Sequence, residues 1–202
     1  MSLTNWYFWQ VMPLLSEQKL SIGVDIEDCG RIMNAIAESY LVEGAIAEVG
    51  VAEGGSAAII ATINQVINKK PIYLFDTFAG LPVVGKYDVE SAFSKGQYFA
   101  DYKRVKEFFK RYKEVKIYKG IFPKSGKWVA EKMFSFVHLD VDLYKSTYES
   151  LDFFWPRITP GGTLISHDYQ TEKGVKQAFD DYFRGTIPIE TPGRSQCFVR
   201  KI

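Results

Sequence analysis

AIAEVGVAEGGS, residues 45–56, is the stretch on which the fold turns. Residues 45–51 form a short apolar run broken by one acid, Glu48, and read as a strand. Gly50, Gly54 and Gly55 then mark a turn, and Ser56 leads an apolar helix through about Asn68. Strand, glycine turn and helix make the opening unit of a doubly wound α/β fold, in which the first turn lies closest to the ligand. The spacing G-x-x-x-G-G departs from the dinucleotide G-x-G-x-x-G and lacks the Gly-Lys-Ser/Thr of a P-loop, so it does not indicate diphosphate binding. A lysine-free glycine turn still lets backbone amides approach an uncharged or zwitterionic nucleoside.

The alternation continues downstream. Residues 71–75 (PIYLF) are β-rich and end in Asp76, where a carboxylate can accept two hydrogen bonds from vicinal ribose hydroxyls. Val105, Phe108, Phe109 and Tyr112 mark a helix before a strand around residues 115–118. FSFVHL (134–139) is a buried-type strand ending in Asp140. Residues 144–155 are helical until Pro156, and 162–166 form a strand ending at His167-Asp168. After Gly174 a helix carries Val175, Ala178, Phe179 and Tyr182, and residues 187–190 and 196–201 read as a closing hairpin. Upstream, Asp28 precedes Ile32, Met33, Ile36 and Tyr40 at helical spacing, with Gly44 as the stop.

Repeated βα units imply a mostly parallel sheet with right-handed crossovers, to which the terminal hairpin adds an antiparallel strand. One domain is expected over residues 1–202, with 1–44 as an N-terminal helical or lid segment and 45–202 as the α/β core. Residues 79–101 have weak periodicity and mixed Gly, Pro and Ser, so a long loop with a short helix is expected there.

Composition narrows the partners. The 25 basic and 24 acidic residues nearly cancel to +1, leaving no global field for nucleic acid or an anionic membrane. No uncharged apolar stretch reaches the ~20 residues of a membrane span. Residues 1–20 lack the basic n-region, apolar run and cleavage site of a signal peptide. Cys29 and Cys197 lie in no ligand pattern, and a reduced cytoplasmic protein is expected.

A second signal sits in HLDVDLY (138–144) and SHDY (166–169). Neighbouring strands would bring Asp140, Asp142 and Asp168, with His167, to one place, where carboxylates suit Mg²⁺ and an added imidazole widens the choice to Mn²⁺, Fe²⁺ or Zn²⁺. A bland alternative stays open: Asp140 and Asp142 as caps of the helix near Tyr144, and Asp168 as an Asx-turn. His138 reads as a hydrogen-bonded core residue rather than a ligand. Phe78, Phe93, Tyr98, Phe99 and the aromatic run 6–9 form either a wall for a second substrate or core and interface surface.

These stretches, together with YLFDTFAGLP, KGIFP, the block from FSFVHLDVDLY to LISHDY and the tail GVKQAFDDYF, resemble the macrocin O-methyltransferase family, which methylates sugar hydroxyls on antibiotics. The resemblance implies a Rossmann-like class I S-adenosylmethionine fold with a seven-stranded sheet, one strand antiparallel, and Mg²⁺ at the strand ends. By position it implies Asp140 and Asp168 as metal ligands and Asp142 as general base. His167 stands where relatives commonly carry an acid, and it joins the candidate ligands. Lys145 is a rival base, ranked below Asp142. The expected cofactor contacts are Glu48, Gly50, Gly54, Gly55, Ser56, Asp76 and Phe78, with Glu48 or Glu53 meeting the methionine amino group. The expected partner is a small-molecule hydroxyl acceptor, and a homo-oligomer is left open. Two other readings remain: a non-catalytic S-adenosylmethionine-binding module, and a metal-dependent hydrolase, which lacks the further His and Asp ligands such centres use.

Overall fold

A computed structural model describes residues 12–13, 16, 23–67, 69–88 and 93–202. Six strands form one sheet: β1 (Ala45–Val49), β2 (Ile72–Asp76), β3 (Val115–Lys119), β4 (Phe134–Leu139), β5 (Ile158–Ser166) and β6 (Cys197–Arg200). Their spatial order is β3-β2-β1-β4-β5-β6; the first five are parallel, and β6 runs antiparallel beside β5. This is the Rossmann-like α/β class expected, and the winding direction reverses between β1 and β4, opening a crevice at their carboxyl ends.

Among the described residues the sheet has six strands rather than seven. The strand expected at 187–190 is reduced to one bridge, Glu190 opposite Phe198. Pro188 within that run has no amide hydrogen to give a ladder, which keeps the pairing to a single point.

The helices are α1 (Ile26–Glu38), α2 (Gly55–Ile67), α3 (Tyr102–Phe109), α4 (Tyr144–Phe154) and α5 (Lys173–Phe183). Period-two alternation assigns each strand residue to a layer. Ile46, Ile72 and Leu74 pack with α1, α2 and α3, whereas Ala47, Val49, Tyr73 and Phe75 pack with α4 and α5. On β4 a register shift between Phe134 and Phe136 breaks the alternation, so Phe134 and Val137 share one layer while Phe136 enters the other. Both faces are covered, which explains why these strands read as apolar runs and not as alternating ones.

Local chemistry sets the ends. The side chain of Asp25 accepts from the Asp28 amide at 2.8 Å, so α1 begins before Asp28 and places that acid inside the first turn. Tyr40, expected on the apolar stripe, is exposed in a 3₁₀ turn (Ser39–Leu41). The long loop contains the short helical turn expected of it, Lys86–Asp88. No described helix is long and apolar enough to cross a membrane.

Candidate active site

The glycine turn is built by close backbone approach. Gly50 has φ +89°, and a Cβ there would lie 1.7 Å from the carbonyl oxygen of Asp140. That proximity lets the Asp140 amide donate to Val49 O at 2.9 Å, fixing the end of β4 against the end of β1. From the other side, one oxygen of Asp76 accepts from the Ala52 amide at 2.8 Å and the other from the Phe78 amide at 2.5 Å. Asp76 therefore splints the turn while keeping lone pairs for a ligand, since a carboxylate has about four acceptor sites.

Glu48 lies beneath this turn, fully buried. Its Oε1 is 2.8 Å from His138 Nδ1, and burial pushes its carboxyl above the ordinary range while hydrogen bonds from His138 and Ser56 pull it back. His138 is the buried, hydrogen-bonded core residue expected.

The second element is the pair of strand ends. Leu139 pairs with Ser166, and the His167 amide donates to Leu139 O at 2.8 Å, so Asp140 and His167 emerge side by side. Ligand atoms of Asp140, His167 and Asp168 all lie within 4.8 Å of one another. His167 Nδ1 is 3.1 Å from Asp168 Oδ1 and 3.5 Å from Asp140 Oδ1, while Nε2 is 3.5 Å from Asp28 Oδ2. Burial works against the imidazolium, but its hydrogen bonds to Asp140, Asp168 and Asp28 override this and hold the pKa far above that of a free histidine. Burial likewise acts to raise Asp168, yet His167 brings it below the usual carboxylate range. Asp142 is pushed up to about 9, first by burial and then by the charges of Asp140 and Asp168. The cluster holds more carboxylate than its imidazole can neutralise, which is the electrostatic condition for binding a cation. Asp142 and Asp168 also adopt φ +60° and +59°, a left-handed backbone that non-glycine residues keep only where surrounding structure enforces it.

The capping alternative for Asp140 and Asp142 does not match the geometry. Residue Leu143 precedes α4 with no side-chain cap of its own, and the Tyr144 amide donates instead to Asp88 Oδ1 at 2.8 Å, from the 79–101 loop. Asp88 fits because residue 174 is glycine: a Cβ there would sit 1.9 Å from Asp88 Oδ1.

Both elements open into one cavity of 740 Å³. Of the expected site residues, Gly50, Ser56, Asp76, Asp140, Asp142, His167 and Asp168 line it, as does Glu53. Glu48, Gly54, Gly55 and Phe78 do not; Phe78 is buried against Tyr102, with ring centroids 5.0 Å apart. Phe93, Tyr98 and Phe99 are on the wall, and the aromatic run 6–9 lies outside the described residues. Lys145 is 79% exposed beside Glu149, a solvated helix-face residue.

Sequence reading missed Asp28, Asp88, Gly120, Ser146 and Ser150. Gly120 belongs to the KGIFP block, and its amide donates to Asp76 O at 2.8 Å. Asp28 carried a signal: it lies four residues before Ile32 and eight before Ile36, an acid on the apolar stripe of α1. Asp88 carried none, because the helix-start amide it accepts from, Tyr144 N, lies 56 residues away in sequence.

A family model described as Macrocin-O-methyltransferase (TylF) matches residues 26–194. The 8-demethyl-8-(2,3-dimethoxy-alpha-L-rhamnosyl)-tetracenomycin-C 4'-O-methyltransferase of Streptomyces olivaceus is 29% identical over 163 residues, covering 75% of this chain and 62% of its own length. The demethyldecarbamoylnovobiocin O-methyltransferase of Streptomyces niveus is 26% identical over 157 residues, covering 70% and 58%. The chain thus spans about three-fifths of the curated relatives it matches. A solved structure of the O-methyltransferase NovP superposes with a TM-score of 0.74 at 21% identity, over 88% of this chain and 81% of that one, a likeness of fold. The family match runs through the glycine turn and both carboxylate-bearing strand ends, and the chain belongs to the macrocin-O-methyltransferase (TylF) family.

Proposed function

We propose that this protein transfers the methyl group of S-adenosylmethionine to a hydroxyl of a small molecule, a sugar or glycoside, with a divalent cation at Asp140, His167 and Asp168. One observation carries the reading: the glycine turn and the strand-end cluster open into the same cavity, joined through Gly50 packed on the Asp140 backbone. Its 740 Å³ falls within the usual ~300–1,000 Å³ of ligand sites. Family membership supports the methyl transfer, and the named activities of the two Streptomyces relatives support the hydroxyl acceptor.

Gly50 and Ser56 would give the cofactor backbone access, Asp76 would accept from its ribose hydroxyls, and Glu53 on the cavity wall would meet its amino group. Glu48, Gly54 and Gly55 shape the turn from beneath, and Phe78 supports it from the core. The donor set of two carboxylates and an imidazole fits a divalent ion. When bound, S-adenosylmethionine supplies a methyl group for in-line displacement from its sulfonium. Asp140, His167 and Asp168 would hold a divalent cation, which would supply positive charge to stabilise charge developing on the acceptor oxygen. Asp142, on the cavity wall, would accept the hydroxyl proton, and Phe93, Tyr98 and Phe99 on the same wall would position the acceptor.

The test is methyl transfer from isotope-labelled S-adenosylmethionine to a panel of sugars, glycosides, amines and carboxylic acids, with Mg²⁺ or Mn²⁺ present. Labelled methyl ethers are the expected product. Labelling of amines or carboxyls alone, or no binding of S-adenosylmethionine, overturns the reading.

A further inference from the structure

The imidazole of His167 is held from behind. Asp28 reaches it from α1, a segment remote in sequence from both strand ends, and its side chain is 98% buried. Its two oxygens have separate partners: Oδ1 lies 2.6 Å from Arg31 Nη1, and Oδ2 lies 3.5 Å from His167 Nε2. The opposite ring nitrogen, Nδ1, faces Asp140 and Asp168. Arg31 is itself anchored, donating from Nε to Pro192 O at 3.1 Å, and a Cβ on Gly193 would meet its guanidinium at 2.6 Å. Arg31 therefore locates Asp28, and Asp28 locates the ring.

A histidine that ligates a metal through one nitrogen usually gives its other N–H to a carboxylate, which fixes the tautomer and the ring plane. We propose that Asp28 is the positioning residue that presents His167 Nδ1 to a divalent ion, giving this chain a mixed imidazole–carboxylate centre that prefers a transition metal such as Mn²⁺ over Mg²⁺. The inference rests on the metal-assisted reading above and deepens it. Its basis is ligand chemistry: imidazole suits transition ions, whereas Mg²⁺ keeps oxygen ligands and sheds water reluctantly. Asp28 sits too far round the ring to share the ion with Nδ1, so it acts through His167.

The probe is Mn²⁺ itself, titrated into metal-stripped protein and followed by the electron paramagnetic resonance signal of the free ion, with no S-adenosylmethionine or acceptor present. The variants are Asp28→Asn, His167→Asn and the two combined. Asp28→Asn is expected to weaken Mn²⁺ binding about 10- to 100-fold, the usual effect of losing a carboxylate behind a ligating histidine. In the His167→Asn background the same substitution is expected to change Mn²⁺ affinity little, because the ring it acts through is gone. Mg²⁺ should displace Mn²⁺ more readily from His167→Asn than from the wild type.

Equal losses from Asp28→Asn in both backgrounds would mean a structural role and overturn the inference, as would unchanged Mn²⁺ affinity in Asp28→Asn. Should Asp28→Asn not fold, Asp28→Ser, which leaves room for water, enters the same cycle. Absence of Mn²⁺ binding by the wild type also overturns it, and a calorimetric titration with S-adenosylmethionine under EDTA then reads separately whether the methyltransferase assignment survives.

Discussion

Replacing Gly50 by alanine tests the joint between the two halves of the site, and the structure gives its magnitude. Two costs add. The first is conformational: at φ +89° an L-residue is disfavoured by about 1–2 kcal/mol. The second is steric, since the new Cβ would lie 1.7 Å from Asp140 O and 2.6 Å from Asp140 C, backbone atoms that a side-chain rotation cannot move. Relief requires β4 to part from β1 at its end, losing the hydrogen bond from Asp140 N to Val49 O, worth about 0.5–1.5 kcal/mol, along with packing around it. These two terms sum to about 1.5–3.5 kcal/mol before any packing loss is counted, a large share of an ordinary domain's ~5–15 kcal/mol. Gly96→Ala supplies the control, because Gly96 has φ +85° but open space where its Cβ would go, leaving only the conformational cost. Urea unfolding of both variants, with unchanged m-values, gives the difference directly. If Gly50→Ala is no less stable than Gly96→Ala, the close approach of the glycine turn to Asp140 is not the constraint described here.

Asp142→Asn should leave S-adenosylmethionine binding intact by calorimetry while lowering turnover by about 10²–10⁴-fold, the range of a general base. Unchanged turnover removes Asp142 from that role. Asp88→Ala should cost about 0.5–2 kcal/mol as a lost helix cap, and Gly174→Ala should cost less in that background than in the wild type, because the clashing carboxylate is gone. Strict additivity in urea unfolding would contradict the contact. Glu48 gives a pH dependence: burial lifts its folded pKa above the ordinary 4.5 of a glutamate, so the folded state holds its proton longer than the unfolded chain. That contribution is complete below the unfolded pKa and is lost as pH rises through the folded one. The stability of Glu48→Gln relative to wild type should therefore increase with pH above about 4.5, and a flat difference across pH 4–8 would show that Glu48 titrates normally.

Much of the fold was readable because its strands are buried on both faces and separated by strong punctuation. FSFVHL begins and ends as expected, and the Gly-Gly-Ser turn opens α2 where periodicity places it. Prediction failed where a local signal met a competing constraint. Pro188 cut the terminal strand to a bridge, and Asp25 caps α1, so Asp28, read as preceding the helix, lies inside its first turn. In the site, residues fixed by strand register were legible: Asp140 and His167 follow paired residues on adjacent strands, so their convergence follows from parallel order alone. Residues contributed across long sequence separation were not. Asp88 reaches α4 from a loop, Asp28 reaches His167 from α1, and only the folded chain brings either into position. Phe78, expected at the cofactor, has a left-handed backbone, φ +52°, and lies buried beside Tyr102 outside the cavity wall.

Crystals of the protein grown with Mn²⁺ and S-adenosylhomocysteine, measured for anomalous scattering at the manganese edge, test the central claim most directly. The account expects one strong peak at coordination distance from carboxylate oxygens of Asp140 and Asp168 and from His167 Nδ1, with the nucleoside against the Gly50 turn. A nucleoside in place with no manganese peak between those strand ends would contradict it.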